Sequence, residues 1–79
     1  MNANETAAMQ MTKKEAKSDR KLFVHNLGEL LAQTREGIIG AELSNNELVT
    51  VTYSNGYTRR INVDMDSYMA IIRDVTKHL

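Results

Sequence analysis

Two short turns of nearly the same sequence divide the middle of the chain into three segments, and they restrict the fold more than any other feature. The turns read Ser44-Asn45-Asn46 and Ser54-Asn55-Gly56. Before, between and after them, apolar and polar residues alternate with a period of two, as in strands that bury one face. The pattern predicts an antiparallel meander with strands at residues 38–43, 47–53 and 57–63.

The length of the two turns decides which side chains share a face of this sheet. A two-residue second turn would place the apolar residues of the second and third strands on opposite faces and split the core. A three-residue loop with Gly56 in the left-handed conformation pairs Val49 with Ile61 on one face. The same loop at the first turn needs a left-handed Asn46 and places Ile39 and Ala41 on the core face, beside Val51 and Val49. We therefore predict two three-residue loops.

A helical pattern precedes the predicted sheet. Thr12 and Glu15 fit a capping box at the start of a helix, and Gly37 is the residue type that follows a helix end in the left-handed conformation. These signals predict a helix over residues 12–36, with Gly28 beside its core stripe. That stripe should consist of Phe23, Leu27, Leu30, Leu31 and Thr34.

A second helical pattern follows the predicted sheet. Asp64 fits the N-cap of a helix over residues 65–78, whose apolar stripe contains Met65, Tyr68, Met69, Ile72, Val75 and Leu79. Both helices need the apolar face of the sheet. The expected fold is therefore a two-layer α+β fold of order α-β-β-β-α, with a three-stranded antiparallel meander and both helices on one face.

Length and composition favour one small domain. The chain has 79 residues, with 10 Lys and Arg against 10 Asp and Glu, so its net charge does not indicate nucleic acid or an anionic membrane as partner. We expect a disordered leader at residues 1–11 and a single domain at residues 12–79. No secretory signal or membrane-spanning segment is recognisable, which favours a soluble, cytoplasmic protein without membrane contact.

The residues that usually perform chemistry are scarce in this chain. It has no cysteine and two well-separated histidines, His25 and His78, so neither thiol chemistry nor a metal cluster is indicated. The pair Asp64 and Asp66 is explained by helix capping. No phosphate-binding or dinucleotide motif is present. We expect no enzyme activity, no catalytic or metal-binding residue and no cofactor.

One candidate function is that of a nucleic-acid-binding accessory protein. Residues 13–21 carry five basic and two acidic side chains, a local net charge of +3. Such a segment can follow a phosphate backbone, and the threonine-rich outer face of the sheet could contribute an arginine. The candidate contacts are Lys13, Lys14, Lys17, Arg20, Lys21, Arg60, Thr50 and Thr52.

The preferred hypothesis is a non-enzymatic interaction or accessory module that forms a homodimer or binds an unidentified protein partner. Small domains without disulfides often gain stability by association. The first strand is an edge strand with no Lys or Pro to block pairing with another chain, so candidate self-association residues are Ile38, Gly40 and Glu42. A second route is a small exposed apolar patch of Leu22, Val24 and Ile71.

Overall fold

The computed structural model describes residues 13–79, and the side chains from Ser18 onward. The strands form one antiparallel sheet in the order β1-β2-β3, and the fold is the expected α+β arrangement with a β-meander. The predicted leader at residues 1–11 and the capping box lie outside the described residues. The elements are α1 (Lys13–Thr34), β1 (Ile38–Leu43), β2 (Leu48–Tyr53), β3 (Thr58–Asn62) and α2 (Tyr68–Lys77).

The hairpin between β2 and β3 has the predicted three-residue loop. Gly56 adopts a φ of +87°, the left-handed conformation that a residue without a Cβ reaches freely. The Tyr53 amide donates to the Tyr57 carbonyl at 2.8 Å, and the Gly56 amide donates to the Tyr53 carbonyl at 2.9 Å. Val49 therefore lies opposite Ile61, as the alternation of apolar residues predicts.

The hairpin between β1 and β2 differs from the prediction in register. Ala41 lies opposite Val51, and Leu43 lies opposite Val49, whereas the predicted partner of Ala41 was Val49. The change is a shift of two positions, so the inward face of β1 is retained. Ala41 and Leu43 are both buried in the core, and the core face of this hairpin is the predicted one.

The shifted register follows from the position of the left-handed residue in the first loop. That residue is Glu47, with a φ of +59°, and not Asn46. The Ser44 hydroxyl accepts hydrogen bonds from the amides of Asn46 and Leu48, each at 3.2 Å. These hydrogen bonds stabilise a loop that lies one residue further along the chain than predicted. The Glu47 carboxylate also pairs with Arg20 of α1 at 2.5 Å.

A β-bulge lies at the beginning of β1. Ile38 pairs with Tyr53 and Gly40 pairs with Thr52, so Ile39 is the extra residue. The bulge turns the side chain of Ile38 into the core and leaves Ile39 60% exposed. The expectation from strict alternation, in which Ile39 points inward, is therefore wrong at this position.

The core lies between the inward face of the sheet and the two helices. Every member is apolar, and no charged or polar side chain is buried among the described residues. Ala41 is the one small side chain in the set, and it lies beneath α1. The core residues are Val24, Leu27, Leu31, Ile38, Ala41, Leu43, Val49, Val51, Ile61, Val63, Ile71 and Val75.

The buried face of helix α1 is rotated from the predicted stripe: Leu27 and Leu31 are buried as predicted, but the face extends toward Val24 and not toward Leu30. Val24 is fully buried, whereas Leu30 is 56% exposed. The reason is Gly28, because a Cβ built there would lie 2.3 Å from the backbone nitrogen of Ala41. The helix thus packs directly on β1 through Gly28. A larger residue at this position would prevent so short a distance between the helix and the strand. It ends before Gly37, whose φ is +90°, as predicted.

Helix α2 begins later than predicted. Its N-cap is Ser67, whose hydroxyl accepts a hydrogen bond from the Ala70 amide at 3.2 Å. Asp64, the predicted cap, lies instead in a turn with Met65, which has a left-handed φ of +67°. The turn is closed by a hydrogen bond from the Asp66 amide to the Val63 carbonyl at 3.0 Å.

The orientation of α2 also differs from the predicted stripe. Ile71 and Val75 are its fully buried residues, so Met65 and Met69 point away from the core. Met69 is 74% exposed. The predicted stripe is wrong for both methionines, and Tyr68 lies at its margin and not at its centre.

Candidate interaction surface

The outer edge of β1, which the sequence marks for self-association, is occupied in part by the protein's own side chains. Ile38 is buried in the core, and Gly40 has no side chain. Glu42 contacts helix α1, because its Oε1 atom lies 2.6 Å from Nδ1 of His25. None of these three residues therefore presents a free apolar side chain along this edge.

The contact between His25 and Glu42 passes around the free edge of β1. Since Ala41 and Leu43 face the core, alternation places Glu42 on the opposite face of the sheet. His25 belongs to α1, which covers the core face. The imidazole is also bonded within α1, with Nε2 3.1 Å from Oε1 of Glu29. We call this arrangement of His25, Glu29 and Glu42 the edge clasp.

The edge clasp changes the protonation of its histidine. The hydrogen bond to Glu42 raises the pKa of His25 above its ordinary value, and the negative charges of Glu42 and Glu29 act in the same direction. In the protonated form both ring nitrogens are donors, so the imidazolium can bind both carboxylates at once. The clasp is therefore strongest at pH values where His25 is charged.

Three features of β1 thus hinder the addition of another strand. They are the bulge at Ile39, the cover provided by α1 and the charged side chains of the edge clasp, which are devices by which proteins protect sheet edges. Self-association through this edge remains a prediction, and the geometry favours a different surface.

Arg20, one of the predicted nucleic-acid contacts, is used within the fold. Its Nη1 atom donates to the Asp66 carbonyl at 2.6 Å, and Nη2 donates to the Val63 carbonyl at 3.0 Å. Nη2 also pairs with the Glu47 carboxylate at 2.5 Å. The side chain is largely buried and joins α1 to the first loop and to the connection between β3 and α2.

The remaining predicted nucleic-acid contacts are spread over the molecule. Lys21 donates to the Asn45 side chain at 2.6 Å at the edge of the sheet. Arg60 lies opposite Thr50, and together with Thr52 they occupy the sheet face turned away from the helices. Arg60 is therefore separated from helix α1 by the sheet. The side chains of three further residues lie outside the described part: Lys13, Lys14 and Lys17.

A group of apolar side chains covers the solvent side of the two helices. The rings of Phe23 and Tyr68 are in contact, with centroids 4.6 Å apart and planes tilted by 32°. Leu30 follows Phe23 by seven residues and so lies on the same side of α1, about two turns further along. We call this group the helix-pair surface, which consists of Leu22, Phe23, Leu30, Tyr68, Met69 and Ile72.

Two neutral polar residues lie between or beside the apolar side chains of the helix-pair surface. Asn26 lies midway between Leu22 and Leu30 on one row of α1, and Thr76 follows Ile72 by one turn of α2. Apolar and neutral polar side chains without charges are typical of the centre of a protein interface. A face turned to water alone would normally carry more charged residues.

Charged side chains are exposed on both helices near this surface. Asp19 and Glu29 are exposed on α1, and Arg73 and Lys77 are exposed on α2. The Arg73 side chain is 3.4 Å from Asp74, but most of it remains in contact with solvent. On α1, Glu29 is already bound to His25 and Lys21 is also exposed, so the described part of this helix carries exposed charges of both signs.

The predictions missed the helix-pair surface because the buried face of each helix is rotated from the predicted stripe, although Leu27, Leu31 and Val75 are buried as predicted. Leu30 and Met69 were expected in the core, and Val24 and Ile71 were expected in an exposed patch, whereas the structure exchanges these positions. One signal in the sequence indicated the correct orientation of α1. A glycine in the middle of a helix often marks a close approach of another element, and centring the buried face on Gly28 would have placed Val24 inside.

The described residues contain no arrangement of side chains suited to a metal ion. No group of three or more His, Asp or Glu residues could hold a metal ion in the described part of the chain, and in the edge clasp the two carboxylates contact opposite nitrogens of the His25 ring. Asp66 and Asp74 form an interacting acidic pair. Their hydrogen bond raises the pKa of Asp66 and lowers that of Asp74. A proton shared by the pair is therefore held mainly by Asp66.

Comparisons with known proteins identify no relative of this chain. No protein-family model matches it, and no curated protein and no solved structure matches it at a significant level. In the part of the chain that the structure describes, neither helix is long and apolar enough to cross a lipid bilayer. Function must therefore be inferred from the surfaces described above.

Proposed function

We propose that the protein is a non-enzymatic interaction module that self-associates through the helix-pair surface. The observation that supports this proposal is the set of exposed apolar side chains on two adjacent helices, which are in contact through the rings of Phe23 and Tyr68. Single exposed apolar residues are common on proteins, but a contiguous apolar patch usually marks a binding site. Burial of such side chains contributes about 25 cal/mol per Å² of apolar surface.

The size of the fold gives self-association a physical benefit. One hydrophobic core in a domain of this size supplies only about 3 to 5 kcal/mol of stability. A second copy that binds only the folded form would add stability by mass action, in proportion to the concentration of the protein. Contact through the helices would extend the existing core outward, since Phe23 and Ile72 already pack against it.

Binding of nucleic acid has less support as the function. Arg20 already has three acceptors within its own chain. Arg60 and the basic helix lie on opposite faces of the sheet, so a single stretch of phosphate backbone would not reach both sets of predicted contacts. A nucleic-acid titration at low and high salt tests this alternative, because phosphate contacts weaken steeply as salt increases.

The proposal is tested by the molar mass of the full chain in light scattering over about a hundredfold range of concentration. We expect the wild type to associate, and the variants Leu30→Glu and Met69→Glu to shift to monomer, because each places a charge in an apolar contact. The matched control is Ile39→Glu, which makes the same kind of change at an exposed residue of β1 outside the helix-pair surface.

The control also separates the two candidate surfaces. An unchanged mass of the Ile39→Glu variant, together with loss of association in the helix variants, supports the proposal. The reverse result would assign association to the β1 edge. A wild-type protein that stays monomeric throughout the range would refute self-association.

A further inference from the structure

The second loop contains the one asparagine of the chain that is followed by glycine. Asn55 precedes Gly56, and both residues are exposed. Every other asparagine of the sequence precedes a residue with a side chain. Such a side chain crowds the backbone nitrogen of its own residue, whereas a glycine leaves this nitrogen accessible. The backbone nitrogen of Gly56 can therefore approach the side-chain amide of Asn55 more closely than at the other asparagines.

We propose that Asn55 is a site of spontaneous chemical modification, at which its side-chain amide is converted to a carboxylate. The Gly56 nitrogen attacks Cγ of Asn55, and the new N–Cγ bond replaces the bond from Cγ to Nδ2. The proton of the Gly56 amide leaves with Nδ2 as ammonia, and a five-membered imide remains. Water is the second reactant and opens this ring, with its hydroxyl going to a carbonyl carbon and its hydrogen to the nitrogen.

Two hydrogen bonds hold the reacting groups apart in the folded hairpin. The Gly56 amide, which contains the attacking nitrogen, donates to the Tyr53 carbonyl at 2.9 Å. The Asn55 Oδ1 atom accepts a hydrogen bond from the Tyr57 amide at 3.0 Å. The nitrogen must lose its proton and the side chain must turn before the ring closes, so both bonds retard the reaction. The modification thus proceeds from a transiently opened loop.

Opening of this loop does not require the core to be disrupted. Ser54, Asn55 and Gly56 are all exposed, and none of them contributes a side chain to the core. Segments with few buried contacts open at a small fraction of the free energy of global unfolding. Asn55 can therefore react while the rest of the domain stays folded.

The two products of ring opening have different effects on the hairpin. Opening at Cγ gives aspartate, which keeps an oxygen acceptor for the Tyr57 amide. Opening at the backbone carbonyl carbon gives isoaspartate, in which the main chain runs through the former side chain and is longer by one carbon. The longer loop no longer fits the hydrogen bond from the Tyr53 amide to the Tyr57 carbonyl, since loop length fixes the register of a hairpin.

The test is a time course of the full chain in a mildly alkaline buffer below its melting temperature, followed by peptide mass spectrometry. We expect conversion to accumulate at Asn55, and Asn45 and Asn46 of the first loop to keep their amides. The variant Asn55→Asp is the chromatographic standard that separates aspartate from isoaspartate.

The matched control is Gly56→Asn, which gives the second loop the same Ser-Asn-Asn sequence as the first. Asparagine tolerates the left-handed conformation of this position, and its side chain crowds the attacking nitrogen. We expect conversion at Asn55 to be slower by about tenfold or more in this variant. Repeating the comparison in guanidinium chloride, where both chains are unfolded, makes this result independent of any damage to the fold.

The same measurements can overturn each part of the proposal. We expect the folded wild type to react more slowly than the unfolded wild type by about tenfold or more. Equal rates in the two states would refute retardation by the hairpin. Absence of conversion at Asn55 in both states, or equally fast conversion at Asn45, would refute the assignment of the site.

Discussion

The two edges of the sheet are protected in different ways. At β1, helix α1 lies directly over the strand, with Gly28 against the backbone of Ala41, and the edge clasp passes around the outside. At β3, Thr58, Arg60 and Asn62 are exposed polar residues that face solvent. Helix α1 and the edge clasp protect the β1 edge, whereas exposed polar and charged side chains hinder other chains from pairing with the β3 edge.

Helix α1 is attached to these two sides of the sheet by different interactions. Its contact with β1 is apolar, close and continuous with the core. Its connection to the end of β3 consists of the hydrogen bonds from Arg20 to the carbonyls of Val63 and Asp66. The difference indicates that disturbing the packing at β1 costs more stability than removing the polar connection at β3.

The largest effect is expected from Gly28→Ala. The new Cβ would lie 2.3 Å from the Ala41 nitrogen, so the helix must move away from β1. We expect a loss of about 3 kcal/mol in the free energy of unfolding, well above the gain of about 1 kcal/mol in helix propensity. Urea denaturation measures it. A variant at least as stable as the wild type would contradict the close contact.

The matched control is Gly40→Ala. A Cβ built at Gly40, within β1 itself, has no atom within 4 Å. We therefore expect this substitution to change the free energy of unfolding by less than about 0.5 kcal/mol. If the two substitutions lowered the free energy of unfolding equally, the close contact between α1 and β1 would not be the cause of the loss.

A smaller loss is expected from Arg20→Ala. The substitution leaves the carbonyls of Val63 and Asp66 without their donor and removes the ion pair with Glu47. Loss of partners for largely buried groups costs about 2 kcal/mol. Lys21→Ala is the control, because its hydrogen bond is exposed. If both variants lose the same stability in urea, the connection to β3 is no stronger than a surface contact.

The smallest effect concerns the edge clasp and depends on pH. The pKa of His25 is raised above its ordinary value of 6.5 by the hydrogen bond to Glu42, so the folded state binds the proton more tightly than the unfolded state. The resulting stability is fully present below about pH 6.5 and is lost as the pH rises through the raised pKa. The melting temperature should therefore fall as the pH is raised above about 6.5.

The comparison variant for this measurement is His25→Gln. It removes the titrating group from the edge clasp and should have a flatter dependence of melting temperature on pH over the same range. An equally steep fall in both proteins would assign the pH dependence to another group.

The two hairpins show which local features can be predicted. Gly56 alone specifies the left-handed position of the second loop, so the register of β2 and β3 follows from neighbouring residues. In the first loop the left-handed residue is Glu47, whose carboxylate pairs with Arg20. That partner lies 27 positions earlier in the chain, and local turn preferences carry no information about it.

The orientation of the helices was harder to predict for a similar reason. An apolar stripe indicates the buried side of a helix only approximately, and the close contact at Gly28 moves that side toward Val24. The turn before α2 is held by Arg20, so the helix begins at Ser67 and not at Asp64. Element order and strand pairing follow from the sequence pattern, whereas the exposed surface depends on contacts between distant residues.

The position of α1 over β1 also has a consequence for the order of folding. Gly28 and Ala41 are 13 positions apart, whereas Arg20 and Asp66 are 46 positions apart. Contacts between near neighbours close small loops and form early, and distant contacts form late. We expect Gly28→Ala to slow folding, because it disturbs an early contact. Loss of the Arg20 contacts should instead accelerate unfolding and leave the folding rate nearly unchanged.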